Sequence, residues 1–222
     1  MKLDPKRHRW MTAPETRAVM AALGEGNACF VGGSVRNALL EKPVGDIDIA
    51  TPLKPDEVVR RLEAAGLKAV PTGIEHGTIT AIAHGMPFEI TTLRRDVETD
   101  GRRAVVAFGD DWAEDAQRRD FTMNALYASA DGEVFDTVGG VEDLKARRVR
   151  FVGDPVTRIR EDYLRILRLF RFHAWYGKDE IDSAALHARR RRKPDWLAFR
   201  VSVCRRKRSG FWKPKIRCRA CA

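Results

Sequence analysis

The stretch Cys29–Thr51 constrains the fold of this chain more than any other. Its apolar start, Gly-Gly-Ser turn and second apolar run predict a strand, a turn into a short helix, and a strand carrying Asp46 and Asp48. Successive strand residues point to opposite faces of a sheet, so the two carboxylates project together while Ile47 and Ile49 turn into the core. Neighbouring carboxylates repel each other. A divalent metal such as Mg²⁺, which takes one or two carboxylates plus substrate phosphates, would relieve that repulsion.

The turn beside this carboxylate pair predicts an anion site. Gly32 and Gly33 allow the backbone to approach a ligand closely, and a helix that begins there with Ser34 points free N–H groups at an anion. Arg36 adds a cation one turn further on. Either motif alone is usually an ordinary turn or a solvated loop. In this order and spacing, the two predict a site for a metal-bound nucleoside triphosphate.

Length and composition limit the class of protein. A chain of 222 residues can form one or two small domains. It has no apolar run long enough to span a membrane and no signal-peptide core at its N-terminus, so a cytoplasmic protein without a membrane partner is expected. Its four cysteines are too unevenly placed to predict a disulfide framework.

The net charge of +10 is concentrated near the C-terminal end. Residues 187–222 hold 14 of the 41 Lys and Arg residues but one of the 31 acidic residues, which leaves a net charge of −3 on residues 1–186. The overall basicity is therefore poor evidence about the part that folds.

Hydrophobic periodicity predicts alternating helices and strands in the first half of the chain. The predicted elements are helices over 14–25 and 55–65 and strands over 68–71, 78–84 and 87–93. Glu89, on the last of these strands, is either a solvent-facing residue or a third carboxylate beside the Asp pair. The charged segment 94–111 predicts a mobile loop over the site or plain surface disorder.

Residues 117–128 predict a second site element. Arg119 and Asp120 precede a run that we interpret as a capped helix. Its apolar face would comprise Phe121, Met123, Leu126 and Tyr127.

Residues 161–175 predict a long helix with an apolar face and a row of charged residues. The apolar residues at helical spacing are Leu164, Leu167, Phe170 and Ala174, and the charged row comprises Asp162, Arg165, Arg168 and Arg171. Asp162 and Arg165 are close enough to interact, and such a pair is often only a surface ion pair. The alternative is base recognition. A carboxylate can accept from the amino group of cytosine or adenine, and a guanidinium can donate to the adjacent ring nitrogen.

Four motifs give the chain a family resemblance. They are GG-x-V-R followed by D-x-D, R-R-D-F-T-x-N-A, D-x-x-G-G-x-x-D-L and E-D-x-x-R. Over roughly residues 25–182 the chain resembles the class II nucleotidyltransferases, which include CCA-adding tRNA nucleotidyltransferases and bacterial poly(A) polymerases. The family usually has Asp where this chain has Asn37.

The resemblance implies an α/β (α+β) fold and a domain order. A mixed β-sheet flanked by helices would form a nucleotidyltransferase head over 25–150, after an N-terminal helix over 1–24. The start of an all-helical neck would follow over 151–182, joined at a hinge within residues 134–144. The atypical segment 183–222 lacks helical or strand periodicity.

The resemblance also implies activity, substrates and site residues. CMP and AMP would be added from CTP and ATP to the tRNA 3′ end with Mg²⁺. Poly(A) addition, partial addition of C or A alone, and an inactive nucleotide- or RNA-binding fragment are the alternatives. The metal would be held by Asp46 and Asp48, assisted by Glu89. The implied nucleotide-binding residues are Gly32, Gly33, Ser34, Arg36, Arg119, Asp120, Asn124, Glu161, Asp162, Arg165, Arg168 and Arg171. Among these, Arg119 would contact phosphates, Asp120 and Asn124 the ribose, and Glu161, Asp162 and Arg165 the base.

The composition changes abruptly after Asp182. One interpretation is a basic arm that neutralises RNA phosphates without sequence preference. The interpretation we favour is translation from a shifted reading frame in a GC-rich gene. Cys218 and Cys221 form one C-x-x-C pair without a second, which is too few ligands for a zinc site.

Overall fold

The computed structural model describes residues 1–100, 103–178 and 180–190, with side chains at 1–95, 107–178 and 180–186. Its helices are α1 (Arg9–Thr12), α2 (Pro14–Leu23), α3 (Gly33–Leu39), α4 (Pro55–Ala64), α5 (Trp112–Gln117), α6 (Gly140–Lys145), α7 (Pro155–Glu161), α8 (Leu164–Tyr176) and α9 (Ser183–Arg190). Its strands are β1 (Cys29–Val31), β2 (Asp48–Thr51), β3 (Lys68–Gly73), β4 (Thr78–Ala83), β5 (Met86–Thr92), β6 (Arg94–Asp100), β7 (Arg103–Phe108), β8 (Leu126–Ala128) and β9 (Val134–Asp136). Two 3₁₀ turns lie at Ile74–His76 and Thr122–Asn124.

Seven strands form one mixed sheet in the order β3-β4-β5-β2-β1-β8-β9. Only β2 and β5 run parallel, and the other neighbouring strands are antiparallel. The sheet with its flanking helices confirms the predicted α/β head.

Local sequence explains the predicted helices and strands that the structure confirms. Both α2 and α4 begin with proline, whose fixed φ suits the first helical position. In α4, Val58 and Leu62 are buried one helical turn apart. In β4 every second residue is buried, which is the pattern of a strand with one face in the core.

The two faces of the sheet carry different cores. A large cluster on one face includes Phe30 and Ile49 and packs beneath α2 and α4. A smaller cluster on the other face includes Cys29, Ala50 and Tyr127. Since Asp48 is two residues from Ala50, its side chain lies on the second face, where fewer elements cover the sheet.

Two segments differ from the sequence predictions near the middle of the chain. Residues 94–111 are not a loop throughout, because β6 and β7 pair as a separate two-stranded antiparallel sheet. Residues 117–128 are not a helix, because a 3₁₀ turn leads directly into β8, which is fully buried and hydrogen-bonded to β1 and β9. Strand pairing from distant parts of the chain overrides the local apolar spacing there.

The single helix predicted over 161–175 is interrupted in the structure. The prediction of which residues form its buried face was also wrong. Asp162 is extended (φ −151°) and separates α7 from α8. The buried residues of α8 are Ile166, Leu169 and Phe172, whereas Leu167 is 49% exposed and Phe170 is 36% exposed. This helix is apolar on several sides, so spacing alone could not identify the face that packs.

The segment after Asp182 begins with a helix, contrary to the expected lack of periodicity. In α9, Ala185 is fully buried and the helix contacts α7. Residues 191–222, which include Cys218 and Cys221, lie outside the described residues, so the two interpretations of that segment stay predictions.

Candidate nucleotide and metal site

Two of the three predicted carboxylates lie side by side where β2 pairs with β5. Asp48 lies directly opposite Glu89 in the parallel register, and Asp46 precedes β2 by two residues. None of the three carboxylate side chains makes a hydrogen bond or ion pair to any residue that the structure describes. Burial is the largest cause that raises the pKa of Asp48, and the charges of Glu89 and Asp46 add to it, whereas the charges of Arg119 and Arg36 oppose the rise. The site therefore carries negative charge that the described side chains do not balance.

These carboxylates are better suited to Mg²⁺ than to a metal ion whose ligands all come from protein side chains. Within the described residues, no group of three or more His, Cys, Asp or Glu side chains is spaced to hold a metal ion. Mg²⁺ commonly uses one or two carboxylates and completes its coordination with waters and substrate phosphates. Asp46 and Asp48 can supply those carboxylates.

The glycine turn brings backbone close to this site. Gly32 has φ +67°, a conformation that side-chain-bearing residues rarely adopt, and its N–H donates to the Leu126 carbonyl at 3.1 Å. A Cβ at Gly32 would lie 3.9 Å from Nη1 of Arg119. Ser34 faces inward, because its buried hydroxyl donates to the Val31 carbonyl at 3.2 Å. The turn and Arg119 thus border one space, while the hydroxyl of Ser34 supports the turn.

Asp115 and Tyr127 hold the guanidinium of Arg119. The sequence analysis assigned neither residue to the site. Nε and Nη2 of Arg119 donate to Oδ2 of Asp115 at 3.1 and 2.9 Å, and Nε also contacts the Tyr127 hydroxyl at 3.1 Å. The signal for Asp115 was its position four residues before Arg119, which places both on one side of a helix.

A hydrogen-bonded chain joins the predicted ribose and phosphate residues to α8. Asp120 accepts from Nε of Arg168 at 2.6 Å and from Nδ2 of Asn124 at 3.0 Å. Asn124 accepts from Nη1 of Arg36 at 2.5 Å, and Nη2 of Arg36 donates to the Tyr176 hydroxyl at 2.9 Å. We call these five residues the head–neck clasp, since Arg168 and Tyr176 belong to α8.

The guanidinium of Arg36 is enclosed by the clasp. It stacks on the rings of Tyr176 and Phe172, at 4.2 and 5.2 Å from their centres, and burial lowers its pKa. Asn37 accepts from Nη2 of Arg36 at 3.0 Å and donates its own amide to the Pro43 carbonyl at 3.0 Å. Aspartate, the usual family residue, could not make that donation.

The predicted base-reading residues lie where α7 meets α8. Oδ1 of Asp162 accepts from the Leu164 N–H at 2.9 Å, while Arg165 pairs with Glu161 and donates to the Arg158 carbonyl at 3.1 Å. Asp162 and Arg165 do not form an ion pair with each other, although the Arg165 N–H donates to the Asp162 carbonyl at 3.0 Å.

Arg171 takes no part in the head–neck clasp. It is exposed, and its guanidinium lies 5.6 Å from the Phe172 ring centre and 5.7 Å from that of Trp175.

Comparison with known proteins places this arrangement in a family. The family model of the poly(A) polymerase head domain matches residues 28–150, more than half of the chain. The chain belongs to this family. The resemblance drawn from the four motifs is therefore confirmed. Nucleotidyltransferases of the poly(A) polymerase head family use divalent metals.

Several relatives within the family have named activities. CCA tRNA nucleotidyltransferase 1, mitochondrial, of Danio rerio is 51% identical over 145 residues, which are 65% of this chain and 34% of that protein. The CCA-adding enzyme of Anoxybacillus flavithermus is 47% identical over 152 residues, 68% of this chain and 37% of that protein. The chain thus spans about a third of the length of these curated relatives.

Solved structures with the same fold include two complexes. The Bacillus stearothermophilus CCA-adding enzyme in complex with CTP superposes with a TM-score of 0.68 at 35% identity, covering 78% of this chain and 42% of that one. A tRNA nucleotidyltransferase complexed with a primer tRNA and an incoming ATP analog superposes with a TM-score of 0.61 at 29% identity, covering 77% and 48%. These superpositions confirm the nucleotidyltransferase head fold.

The part of the chain that the structure describes contains no helix long and apolar enough to cross a bilayer. The relatives include a mitochondrial protein, so the expected cytoplasmic location stays a prediction.

Proposed function

We propose that this chain is the catalytic head and first neck helices of an enzyme that adds CMP and AMP, from CTP and ATP, to the 3′ end of tRNA. The observation that carries the proposal is the juxtaposition of Asp48 and Glu89, unpaired, beside the Gly32 turn and Arg119. The names of the relatives supply the choice of substrates.

The carboxylates serve the reacting end of the nucleotide. Asp46 and Asp48 would hold Mg²⁺, which would supply positive charge to the triphosphate and lower the pKa of the attacking 3′-hydroxyl. The 3′-oxygen forms a bond to the α-phosphorus as the bond to pyrophosphate breaks. Glu89, opposite Asp48, would accept the proton that this hydroxyl loses.

The remaining head residues orient the nucleotide. Gly32 and Gly33 let the backbone approach the phosphates, and Arg119 donates to them from the opposite side. Asp120 and Asn124 hold the ribose. To do so, each replaces some of its hydrogen bonds within the clasp by hydrogen bonds to the ribose hydroxyls. A hydrogen-bonded 2′-hydroxyl favours ribonucleotides, because a deoxy analogue leaves buried polar groups unpaired.

Base selection belongs to the start of α8. Asp162 accepts from the amino group of cytosine or adenine, and Arg165 donates to the neighbouring ring nitrogen. Uracil and guanine present a carbonyl and an N–H at these positions and are rejected. Glu161 holds Arg165, while Arg168 and Arg171 add positive charge on the side of the triphosphate.

The test is incubation with Mg²⁺, CTP, ATP and a tRNA that lacks its 3′ CCA, followed by sequencing of the product ends. Addition of C, C and A supports the proposal. Runs of A would identify poly(A) addition, and single nucleotides would identify partial addition. Binding of CTP without any product would contradict the proposed activity of this chain.

A further inference from the structure

Asp115 is a buried carboxylate that none of the proposed substrate contacts uses. Its side chain is 1% exposed, although it lies in the short surface helix α5. Oδ1 accepts from Nε of Arg118 at 2.9 Å. Oδ2 accepts from Nε and Nη2 of Arg119 at 3.1 and 2.9 Å and from the Tyr127 hydroxyl at 2.7 Å. Both oxygens thus accept hydrogen bonds from arginine side chains.

The charges of this cluster favour an ionised carboxylate. Burial alone would raise the pKa of Asp115, but Arg119 and Arg118 together hold it below its usual range. The ionised carboxylate therefore accepts charged hydrogen bonds from both arginines, which are stronger than neutral ones.

The contacts also fix the direction of Arg119. A guanidinium is planar, so bonds from Nε and Nη2 to one carboxylate determine where Nη1 points. Nη1 has no hydrogen-bond partner among the described residues, and it faces Gly32 at 3.9 Å from the position of an added Cβ. Tyr127 supports the same plane through its hydroxyl and its ring, whose centre is 5.3 Å from Cζ.

From this geometry we infer that Asp115, with Tyr127, is a positioning residue that aims Nη1 of Arg119 at the triphosphate. The inference rests on the proposed function, which makes Arg119 a phosphate ligand. Without Asp115, Arg119 keeps its charge but samples several rotamers, and ordering them again reduces affinity.

Asp143 provides a matched control for a purely structural role. It is also buried, and it holds Arg148 and Arg150 at 2.7 Å each and the Thr122 hydroxyl at 2.7 Å. Its two arginines are 57% and 43% exposed, and neither is among the predicted nucleotide-binding residues.

The experiment measures binding of inorganic tripolyphosphate with Mg²⁺ by calorimetry, beside thermal unfolding, for the whole chain and three variants. Asp115→Asn should weaken binding by roughly tenfold or more, the size expected for a lost charged hydrogen bond. Tyr127→Phe should weaken it about twofold to fivefold, because the neutral hydroxyl contributes less. Asp143→Asn should lose thermal stability and keep its affinity within about twofold.

The outcomes separate this inference from the proposed function. Equal loss of affinity in Asp115→Asn and Asp143→Asn would show that only stability is involved and would overturn the inference. Absence of tripolyphosphate binding by the unaltered chain would overturn it as well. Tripolyphosphate binding that depends on Asp115, with no nucleotide added to tRNA, would support the inference while refuting the proposed activity. Where turnover is measurable, the KM for CTP should rise more than kcat falls.

Discussion

Two groups of aspartates in this head domain have opposite surroundings. Asp115, Asp120 and Asp143 each accept charged hydrogen bonds from arginine side chains. Asp48, with Glu89 opposite it, has no such partner among the described residues. Arginine side chains neutralise the negative charge of the first group, whereas no described arginine pairs with the carboxylates of the second group. The contrast indicates that arginines of the protein itself neutralise the first group, whereas the second group can accept a cation from outside.

The largest expected effect is on catalysis when the uncompensated group is altered. Asp48→Ala should reduce transfer by on the order of a thousandfold, because the metal loses a ligand. Thermal stability should stay equal or increase, since a repelled carboxylate is removed. Transfer and thermal unfolding are measured together, with exposed Glu63→Ala as control. Retained turnover would contradict the assignment of Asp48.

The next largest effect concerns stability in the neutralised group. Asp143→Asn should lower the free energy of unfolding by about 2 kcal/mol, below the 3–5 kcal/mol typical of fully buried pairs because its arginines are half exposed. Urea unfolding measures this loss. If the free energy of unfolding changed by less than about 0.5 kcal/mol, pairing with arginine would contribute little to stability. The arginine-paired and unpaired carboxylates would then not differ in this respect.

A smaller effect tests the clasp that links Asp120 to α8. Tyr176→Phe keeps the ring that stacks on Arg36 and removes one hydroxyl, so the free energy of unfolding should fall by about 1 kcal/mol. The control is Trp175→Phe, at a side chain that is 63% exposed, where urea unfolding should show almost no change. Equal stability of both variants would show that the clasp adds no stability.

The smallest effect is a dependence on pH without metal. The pKa of Asp48 is raised in the folded chain, so the folded state binds its proton more tightly than the unfolded state does. The contribution of Asp48 to stability is therefore most favourable below pH about 4 and is lost as the pH rises through the raised pKa. The stability of the unaltered chain relative to Asp48→Asn should fall over that window. An opposite slope would contradict the uncompensated charge.

The alternation of aspartates with isoleucines predicted the strand that carries Asp48, but that strand begins at Asp48 and leaves Asp46 two residues before it. The sequence could not predict which strand would lie beside β2. Pairing between β2 and β5 depends on the tertiary arrangement, so the placement of Glu89 opposite Asp48 emerged only from the sheet order.

The errors also have physical causes. The apolar residues of 117–128 fit a helix as well as a buried strand. The end of this segment forms strand β8 because it pairs with β1 and β9. The packed face of α8 was wrong because the helix has apolar residues on several sides. In the observed orientation Arg168 contacts Asp120, and Ile166, Leu169 and Phe172 are buried. Asp115 was missed because acidic residues early in a helix are common and burial is invisible in sequence.

The parallel pairing of β2 with β5 has a consequence for how the chain matures. Strand β5 can form an early hairpin with β4, whereas its docking along β2 closes a long connection that contains α4 and β3. A partly folded chain with only the hairpin holds Asp48 and Glu89 apart. A ligand that requires both carboxylates binds only the completed sheet, so by mass action nucleotide and metal would favour the last step of assembly.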